Sequence, residues 1–159
     1  MVRRLLSLAV ISGLLAVTPV IGATAGTRQR TVCNVDMTAT ISPGLNLIER
    51  DQTLKGTGTA DGCTGSTVTS ATLILRARGH ASCFSGTATG GALVTWDTGE
   101  ESRIKVDLDV SQGILQGTVV SGLFAGEPVT GDLTIQPLQG DCFFRPVTKA
   151  RAFGTITIG

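Results

Sequence analysis

The stretch Ser102-Arg103-Ile104-Lys105-Val106-Asp107-Leu108-Asp109-Val110 decides the fold, because its side chains alternate between polar and apolar. The aliphatic residues fall on one face of an extended chain, and the charged residues between them fall on the other. An alternation of period two is typical of a β-strand with one face in a core and one face in water. The stretch therefore predicts a strand and indicates which of its faces is buried.

The same alternation recurs along most of the chain. It predicts further strands at 31–41, 52–60, 67–78, 81–89, 91–97, 115–121, 127–136 and 149–158. Gly-, Asp- and Ser-rich turns separate them, among them Gly79-His80 and Gly90-Gly91. About nine strands, each with one apolar face, predict an all-β antiparallel fold around one core. Short connections favour a barrel or meander, with an immunoglobulin-like β-sandwich as the alternative. We expect the apolar last strand to pair with the first, since such an edge would otherwise promote aggregation.

The first 25 residues are typical of a secretory signal peptide. A basic start at Arg3 and Arg4 precedes a mostly apolar segment, and Ala23-Thr24-Ala25 fits the small-x-small cleavage pattern. Serine, glycine and proline interrupt the apolar segment, which falls short of the roughly 20 residues that a transmembrane helix needs. We therefore expect residues 1–25 to be removed and residues 26–159 to form one secreted, extracellular domain.

Charge and composition exclude several classes of partner. The 159 residues contain 13 Lys and Arg and 12 Asp and Glu. Without Arg3 and Arg4, 11 positive side chains face 12 negative ones, a net charge of −1. Nucleic acid and anionic membranes attract proteins with a clear basic excess, so neither is an expected partner. Outward strand positions carry threonine and charge, which argues against an outer-membrane barrel. No membrane partner is expected after signal cleavage.

Cys33, Cys63, Cys83 and Cys142 all follow the leader. An even number of cysteines in an exported chain predicts two disulfides, whereas a zinc site would need closer spacings or more than the single histidine present. Three pairings are open. Residues 31–41 and 52–63 both have the pattern of strands. A hairpin folded in the connection from Ser42 to Asp51 would bring Cys33 opposite Cys63, which favours that bridge and leaves Cys83 to pair with Cys142.

Several short motifs resemble those of a group of small secreted actinobacterial proteins. They are Thr31-Val32-Cys33, Ser42-Pro43-Gly44-Leu45, the Trp-x-x-Gly-x-x-Ser hairpin at 96–102, the Ser-Gly-x-Phe-x-Gly turn at 121–126, and the closing Gly-Thr-x-x-x-Gly at 154–159. The motifs span most of the expected mature chain. The resemblance implies an extracellular compartment and a two-disulfide β fold, and it implies no chemistry.

Two features could be mistaken for catalytic sites. Asp97-Thr98-Gly99 matches the aspartic-protease triplet, but Glu100 and Glu101 follow at once and a hairpin turn requires the same residues. The same acidic turn is the best calcium candidate, although a turn with solvated charges is the favoured interpretation.

His80 is the only imidazole. Ser82 and Ser85 lie near it in sequence, without the nucleophile-elbow context of hydrolases. The run of Arg76, Arg78 and His80 could bind an anion, but it is interpreted as a solvated strand end. We predict no catalytic residue, no metal and no cofactor.

Leu123 and Phe124 are the candidate contact residues, because an apolar pair in a glycine-bounded loop can be exposed to partners. The favoured alternative is that Phe124 folds back and closes one barrel end. Trp96 shares a face with Ala92 and Val94 and is predicted to lie in the core.

These observations predict a secreted, non-catalytic binding or surface-interaction module for an unknown extracellular protein or small ligand, of unknown oligomeric state. The alternatives are a secreted protein inhibitor or antagonistic factor, and a small hydrolase that uses Asp97 or His80. A ligand binder should have a barrel mouth lined by apolar side chains. An inhibitor should have one braced, protruding loop and no cavity, and a hydrolase should hold Asp97 or His80 in a pocket with a shifted pKa.

Overall fold

The computed structural model describes residues 30–159, so the signal-peptide prediction lies outside the described residues. Eight strands follow one another: β1 Thr31–Leu45, β2 Arg50–Thr64, β3 Ser70–Ala81, β4 Gly86–Trp96, β5 Glu101–Asp109, β6 Ile114–Gly122, β7 Pro128–Gln139 and β8 Val147–Ile158. Each pairs antiparallel with the next, and β1 pairs with β8. The prediction of an antiparallel barrel, closed by the last strand on the first, is confirmed. Within residues 30–159, no helix is long and apolar enough to cross a membrane.

The number of strands is eight rather than nine, because the predicted strands 81–89 and 91–97 form one strand, β4. Gly90 and Gly91, interpreted as a turn, lie within it, and the predicted turn at Gly79 and His80 lies within β3. A Cβ at Gly90 would lie 2.1 Å from the Arg76 carbonyl oxygen, and one at Gly79 would lie 2.0 Å from that of Thr87. These glycines permit a close approach of β3 and β4, which is a strand role of glycine rather than a turn role.

The two ends of the barrel differ. The turns at 65–69, 97–100 and 123–127 lie at one end, which we call the closed end, together with the first described residues. Large side chains are buried there: Val68 is fully buried, Trp96 is 2% exposed, and the Phe124 ring meets Trp96 edge-on at 5.4 Å between centroids. The disulfide Cys33–Cys63 bridges β1 and β2 there, with the Cα atoms 4.1 Å apart.

The motif Trp-x-x-Gly-x-x-Ser has a structural explanation at the closed end. The Trp96 Nε1–H donates to the Ser102 hydroxyl at 2.8 Å, and that hydroxyl donates to the Leu123 carbonyl oxygen at 2.5 Å. Ser102 is fully buried, so this chain of hydrogen bonds ties two hairpins together out of contact with water.

The opposite end, which we call the open end, carries the turns at 46–49, 82–85 and 110–113 and the loop 140–146. The second disulfide, Cys83–Cys142, joins the β3–β4 turn to the β7–β8 loop there. The bridge Cys33–Cys63, which the predicted hairpin favours, and the remaining pair Cys83–Cys142 are both confirmed. The smaller of the two core clusters lies at this end. Its buried residues are four alanines and four larger aliphatic residues.

Candidate ligand cavity at the open end of the barrel

The inward-facing side chains nearest the open end leave a cavity of about 60 Å³ inside the barrel. A single water needs about 10–15 Å³ of such space, so the cavity accommodates several groups of methylene size. Every lining side chain is apolar, and five of the sixteen are alanines: Ala39, Ala77, Ala81, Ala150 and Ala152. The interior of an eight-stranded barrel is either filled by side chains or holds one small ligand. Alanine at these positions favours the second arrangement.

A second apolar cavity, of about 50 Å³, continues towards the closed end. It shares Met37, Leu75, Val106, Leu115 and Leu133 with the first cavity. The two apolar cavities are therefore neighbours within the barrel, with these five side chains lining both.

The first cavity, of about 60 Å³, adjoins a larger opening of about 370 Å³ at the barrel surface, which we call the mouth. Leu45, Val110, Leu133, Ile135 and Ala150 line both the cavity and the mouth. An apolar group that enters the mouth therefore meets a continuous apolar surface leading inwards.

The mouth exists because β7 is longer than its neighbour β6 at this end. The β6–β7 pairing runs only from Ile114 with Asp132 to Thr118 with Pro128. The Leu133 N–H donates to the Gly113 carbonyl oxygen at 2.9 Å, beyond which β7 continues to Gln139 with β8 as its only paired neighbour. Pro137 lies in this part of β7, where a residue without an N–H leaves no ladder bond unmade.

Polar groups surround the outer part of the mouth. Ser111, Gln112, Asp132 and Thr134 line it beside the aliphatic residues. The Asp109 carboxylate accepts hydrogen bonds from the Ser111 hydroxyl and from the backbone N–H groups of Ser111 and Gln112. These bonds, that of the Ser111 hydroxyl above all, hold the pKa of Asp109 below its usual value and fix the β5–β6 turn. The mouth thus combines a polar outer edge with an apolar interior wall.

His80 belongs to a polar network outside the mouth. Its Nδ1 lies 3.1 Å from Asp51 Oδ1, and its Nε2 lies 4.0 Å from Glu49 Oε2. The Ser85 hydroxyl donates to Glu49, and Ser82 Oγ lies 3.0 Å from Ser85 Oγ. The hydroxyls thus bond to a carboxylate and to each other rather than to the imidazole, whereas a nucleophile and its base need direct contact. The network connects the β1–β2 and β3–β4 turns.

Asp97 lies at the closed end, in the β4–β5 turn, and is exposed. Its carboxylate accepts hydrogen bonds from the Thr69 hydroxyl and from the Thr69 N–H, the latter at 3.0 Å. These bonds, with the hydroxyl the larger cause, hold the pKa of Asp97 below its usual value. The triplet 97–99 is therefore a hairpin turn fixed to the β2–β3 loop. Among residues 30–159, no three His, Cys, Asp or Glu side chains are grouped to hold a metal ion.

Leu123 and Phe124, the predicted contact pair, are half-buried and pack against the larger core cluster at the closed end. The Phe124 ring faces Trp96, as the alternative of a folded-back plug predicts. A contact role for this pair stays a prediction, and neither side chain is an exposed tip.

The sequence analysis missed the cavity residues, although two signals were present. Ala39, Ala150 and Ala152 lie on the apolar faces of the predicted strands 31–41 and 149–158, and such small residues leave space in a barrel of fixed diameter. Pro137, next to a predicted strand, is typical of an edge without a neighbour. Neither signal indicates that these residues lie at the same end.

Comparison of the chain with protein-family models, with curated proteins and with solved structures finds no match. Function is therefore inferred from the geometry of the cavity and the mouth.

Proposed function

We propose that the protein is a secreted, non-catalytic binding module whose ligand is a small amphiphile. The apolar chain of the ligand enters the alanine-lined cavity, and its polar head stays at the mouth beside Ser111, Gln112 and Thr134. The observation that carries this proposal is the apolar wall that the cavity and the mouth share, with polar side chains only on its outer part. Ligand sites commonly combine a mostly apolar lining with a few polar groups that orient the ligand.

The size of the cavity restricts the ligand class. About 60 Å³ of space, bounded by Met37, Leu75 and Leu115, suits an unbranched alkyl chain better than a fused ring system. The larger mouth, of about 370 Å³, suits a head group of several heavy atoms.

Binding is better supported than the two alternatives. An inhibitor was expected to lack a cavity, and the mouth instead opens between a turn and a strand. A hydrolase was expected to place Asp97 or His80 in a pocket, and both are exposed side chains outside the lining of the cavity and the mouth. Two disulfides are consistent with an extracellular location.

The experiment is an isothermal calorimetric titration of the purified protein with decanoic acid as the probe, kept below the concentration at which the acid forms micelles. We expect saturable binding with one site per chain. Ala150→Phe places a ring between the mouth and the cavity and should weaken binding about tenfold or more. Ala125→Phe makes the same change at an exposed position of the closed end and should leave the affinity unchanged.

Ala77→Leu is the second variant, because it reduces the cavity with a smaller change in volume. Absence of saturable binding to the wild-type protein would exclude the proposal. Equal affinities of the wild-type, Ala150→Phe and Ala77→Leu proteins would also exclude it, since the probe would then bind elsewhere.

A further inference from the structure

Large apolar side chains are exposed together at the open end. Leu47 and Ile48 lie on the β1–β2 turn, Phe84 on the β3–β4 turn, and Phe143 and Phe144 on the β7–β8 loop, and we call these five residues the apolar rim. Phe144 is 92% exposed, Phe143 69% and Phe84 61%. At roughly 200 Å² per phenylalanine side chain, these three alone expose on the order of 400 Å², as much as the largest apolar patch of a typical monomer.

Three of the five phenylalanines of the chain belong to this rim. Aromatic residues make up only 4% of the protein, so the few that it has are concentrated where they contribute little to the core. Scattered exposed apolar residues need no explanation, whereas a contiguous patch on adjacent turns indicates an interaction surface.

The loops that carry the rim are held in place rather than loose. The disulfide Cys83–Cys142 joins two of them, and the Phe84 and Phe143 rings lie 6.2 Å apart between centroids. The Cys83 N–H donates to the Asn46 carbonyl oxygen at 2.9 Å, and this bond connects the β1–β2 turn to the two disulfide-linked loops. The loops that carry the rim are therefore joined to one another.

The Asp141 carboxylate fixes the β7–β8 loop from within. It accepts hydrogen bonds from the backbone N–H groups of Phe144, Arg145 and Phe143, and these bonds, that of Phe144 above all, lower its pKa. Its negative charge is thereby engaged by the backbone of its own loop.

The open end carries carboxylates as well as cations, and they differ in what they contact. Glu49 and Asp51 lie against His80, and the Asp109 and Asp141 carboxylates accept backbone N–H groups of their own turn or loop. Across residues 30–159, ion pairs join only His80 with Glu49 and Asp51, and Arg151 with Asp36. The exposed Arg145 and Arg78 and the half-buried Lys149, all at this end of the barrel, thus have no carboxylate partner within 4.0 Å. Apolar side chains flanked by unpaired cations are the arrangement with which peripheral proteins enter the boundary between lipid headgroups and acyl chains.

We infer that the apolar rim docks the protein on the surface of a phospholipid bilayer. The phenylalanine rings enter the acyl region, and Arg145, Arg78 and Lys149 meet headgroup phosphates. A fluid bilayer adapts to side chains that project from several loops. A folded protein partner would instead need a surface complementary in shape to all of them. The mouth opens at the same end, so an alkyl chain leaving the bilayer has a short route into the cavity.

The expectation of no membrane partner rested on net charge and on the polar outward positions of the strands. Docking through exposed apolar side chains on the turns requires neither a basic excess nor an apolar band around the barrel. The inference goes beyond the proposed ligand binding, and the two can fail separately: Ala150→Phe should weaken probe binding and leave docking intact.

The experiment is co-sedimentation of the purified protein with sucrose-loaded vesicles, one set of phosphatidylcholine alone and one with added phosphatidylglycerol. We expect the wild-type protein to partition onto both sets. The double variant Phe143→Ser/Phe144→Ser should lose about tenfold or more in partition coefficient, because two large apolar groups no longer leave water. Val120→Ser removes an apolar side chain that is 60% exposed at the other end of the barrel and should bind as the wild type does.

Unchanged fluorescence of Trp96, at the closed end, serves as the check that the variants are folded. Failure of the wild-type protein to sediment with either vesicle set overturns the inference. So does equal partitioning of the double variant and the wild type. A concentration-dependent dimer in sedimentation velocity that the double variant abolishes, without vesicle binding, would assign the rim to a contact between two copies and would also overturn it.

Discussion

Ser102→Ala tests whether one buried hydroxyl holds the closed end of the barrel together. The Ser102 hydroxyl accepts from the Trp96 Nε1–H at 2.8 Å and donates to the Leu123 carbonyl oxygen at 2.5 Å. Ser102 is fully buried and Trp96 is 2% exposed, so water cannot replace the lost acceptor without a change of packing.

The expected magnitude follows from these contacts. An unpaired buried donor costs about 1–3 kcal/mol, and the second hydrogen bond contributes a further net amount of about 0.5–1.5 kcal/mol. The Leu123 end is half-buried and its carbonyl can rearrange towards water, so we expect a total loss of about 2–3 kcal/mol in the free energy of unfolding. For a domain of about 130 residues this lowers the melting temperature by roughly 8–12 °C.

The assay is guanidinium unfolding of the oxidised protein, followed by the fluorescence of Trp96, the only tryptophan, and by far-ultraviolet circular dichroism. Dichroism is needed because the substitution alters the surroundings of the fluorophore. Ser121→Ala is the matched control, since Ser121 is exposed on β6 and pairs with Arg103. The control should change the stability by less than about 0.5 kcal/mol.

A Ser102→Ala protein as stable as the Ser121→Ala control would refute the reasoning. A double-mutant cycle with Trp96→Phe adds a second check, because removal of the donor should make the loss of its acceptor cheaper. Strictly additive costs of the two substitutions would mean that the hydrogen bond contributes nothing of its own.

Three further predictions concern the open end and the strand glycines. Replacing Cys83 and Cys142 by serine opens a crosslink that spans 59 residues, and chemical denaturation should show a loss of about 4 kcal/mol in the loop-entropy model; a loss under about 1 kcal/mol would contradict it. The folded-state pKa of Asp141 lies below its usual 3.8, so its hydrogen bonds stabilise the fold above that pH and are lost as the pH falls below it. Thermal melts from pH 7 to pH 2 should therefore show a smaller decline below about pH 4 for Asp141→Asn than for the wild type. Gly90→Ala should destabilise the protein far more than the neighbouring Gly91→Ala, because the new Cβ would lie 2.1 Å from a carbonyl oxygen in the first case and 3.6 Å in the second; equal melting temperatures would argue against the close approach of β3 and β4.

The pairing of the strands was predictable because it depends on neighbours along the chain. The alternation in 102–110 reappears in β5 as buried Ile104 and Val106 between exposed Arg103, Lys105 and Asp107. The hairpin that joins Cys33 to Cys63 likewise follows from two strands and the connection between them. The division of β4 into two strands was wrong, because a glycine pair has the same appearance in a turn and at a close contact between strands.

The candidate site was only partly predictable. An apolar mouth was the predicted feature of a binding protein. The candidate contact loop, at Leu123 and Phe124, instead packs against the larger core cluster at the closed end, as the favoured alternative predicts for Phe124. Phe143 and Phe144, adjacent to Cys142, are the exposed pair. Leu123 and Phe124 cannot be told apart from Phe143 and Phe144 by sequence, because both are apolar pairs in loops. Whether such a pair is buried depends on which other parts of the fold lie next to its loop.

The sequence by itself determined the alternation of faces, the antiparallel order, the closure of β8 on β1 and the two disulfides. Each of these depends on the period of the extended chain or on the length of one connection. Only the tertiary structure decided that alanines from β1, β3 and β8 line the same half of the barrel. It also decided that β7 extends beyond β6 at the mouth, and that three loops with exposed apolar residues lie at one end. Those features depend on strand lengths and stagger summed around the whole barrel, so side chains more than a hundred residues apart, such as Ala39 and Ala150, define one cavity.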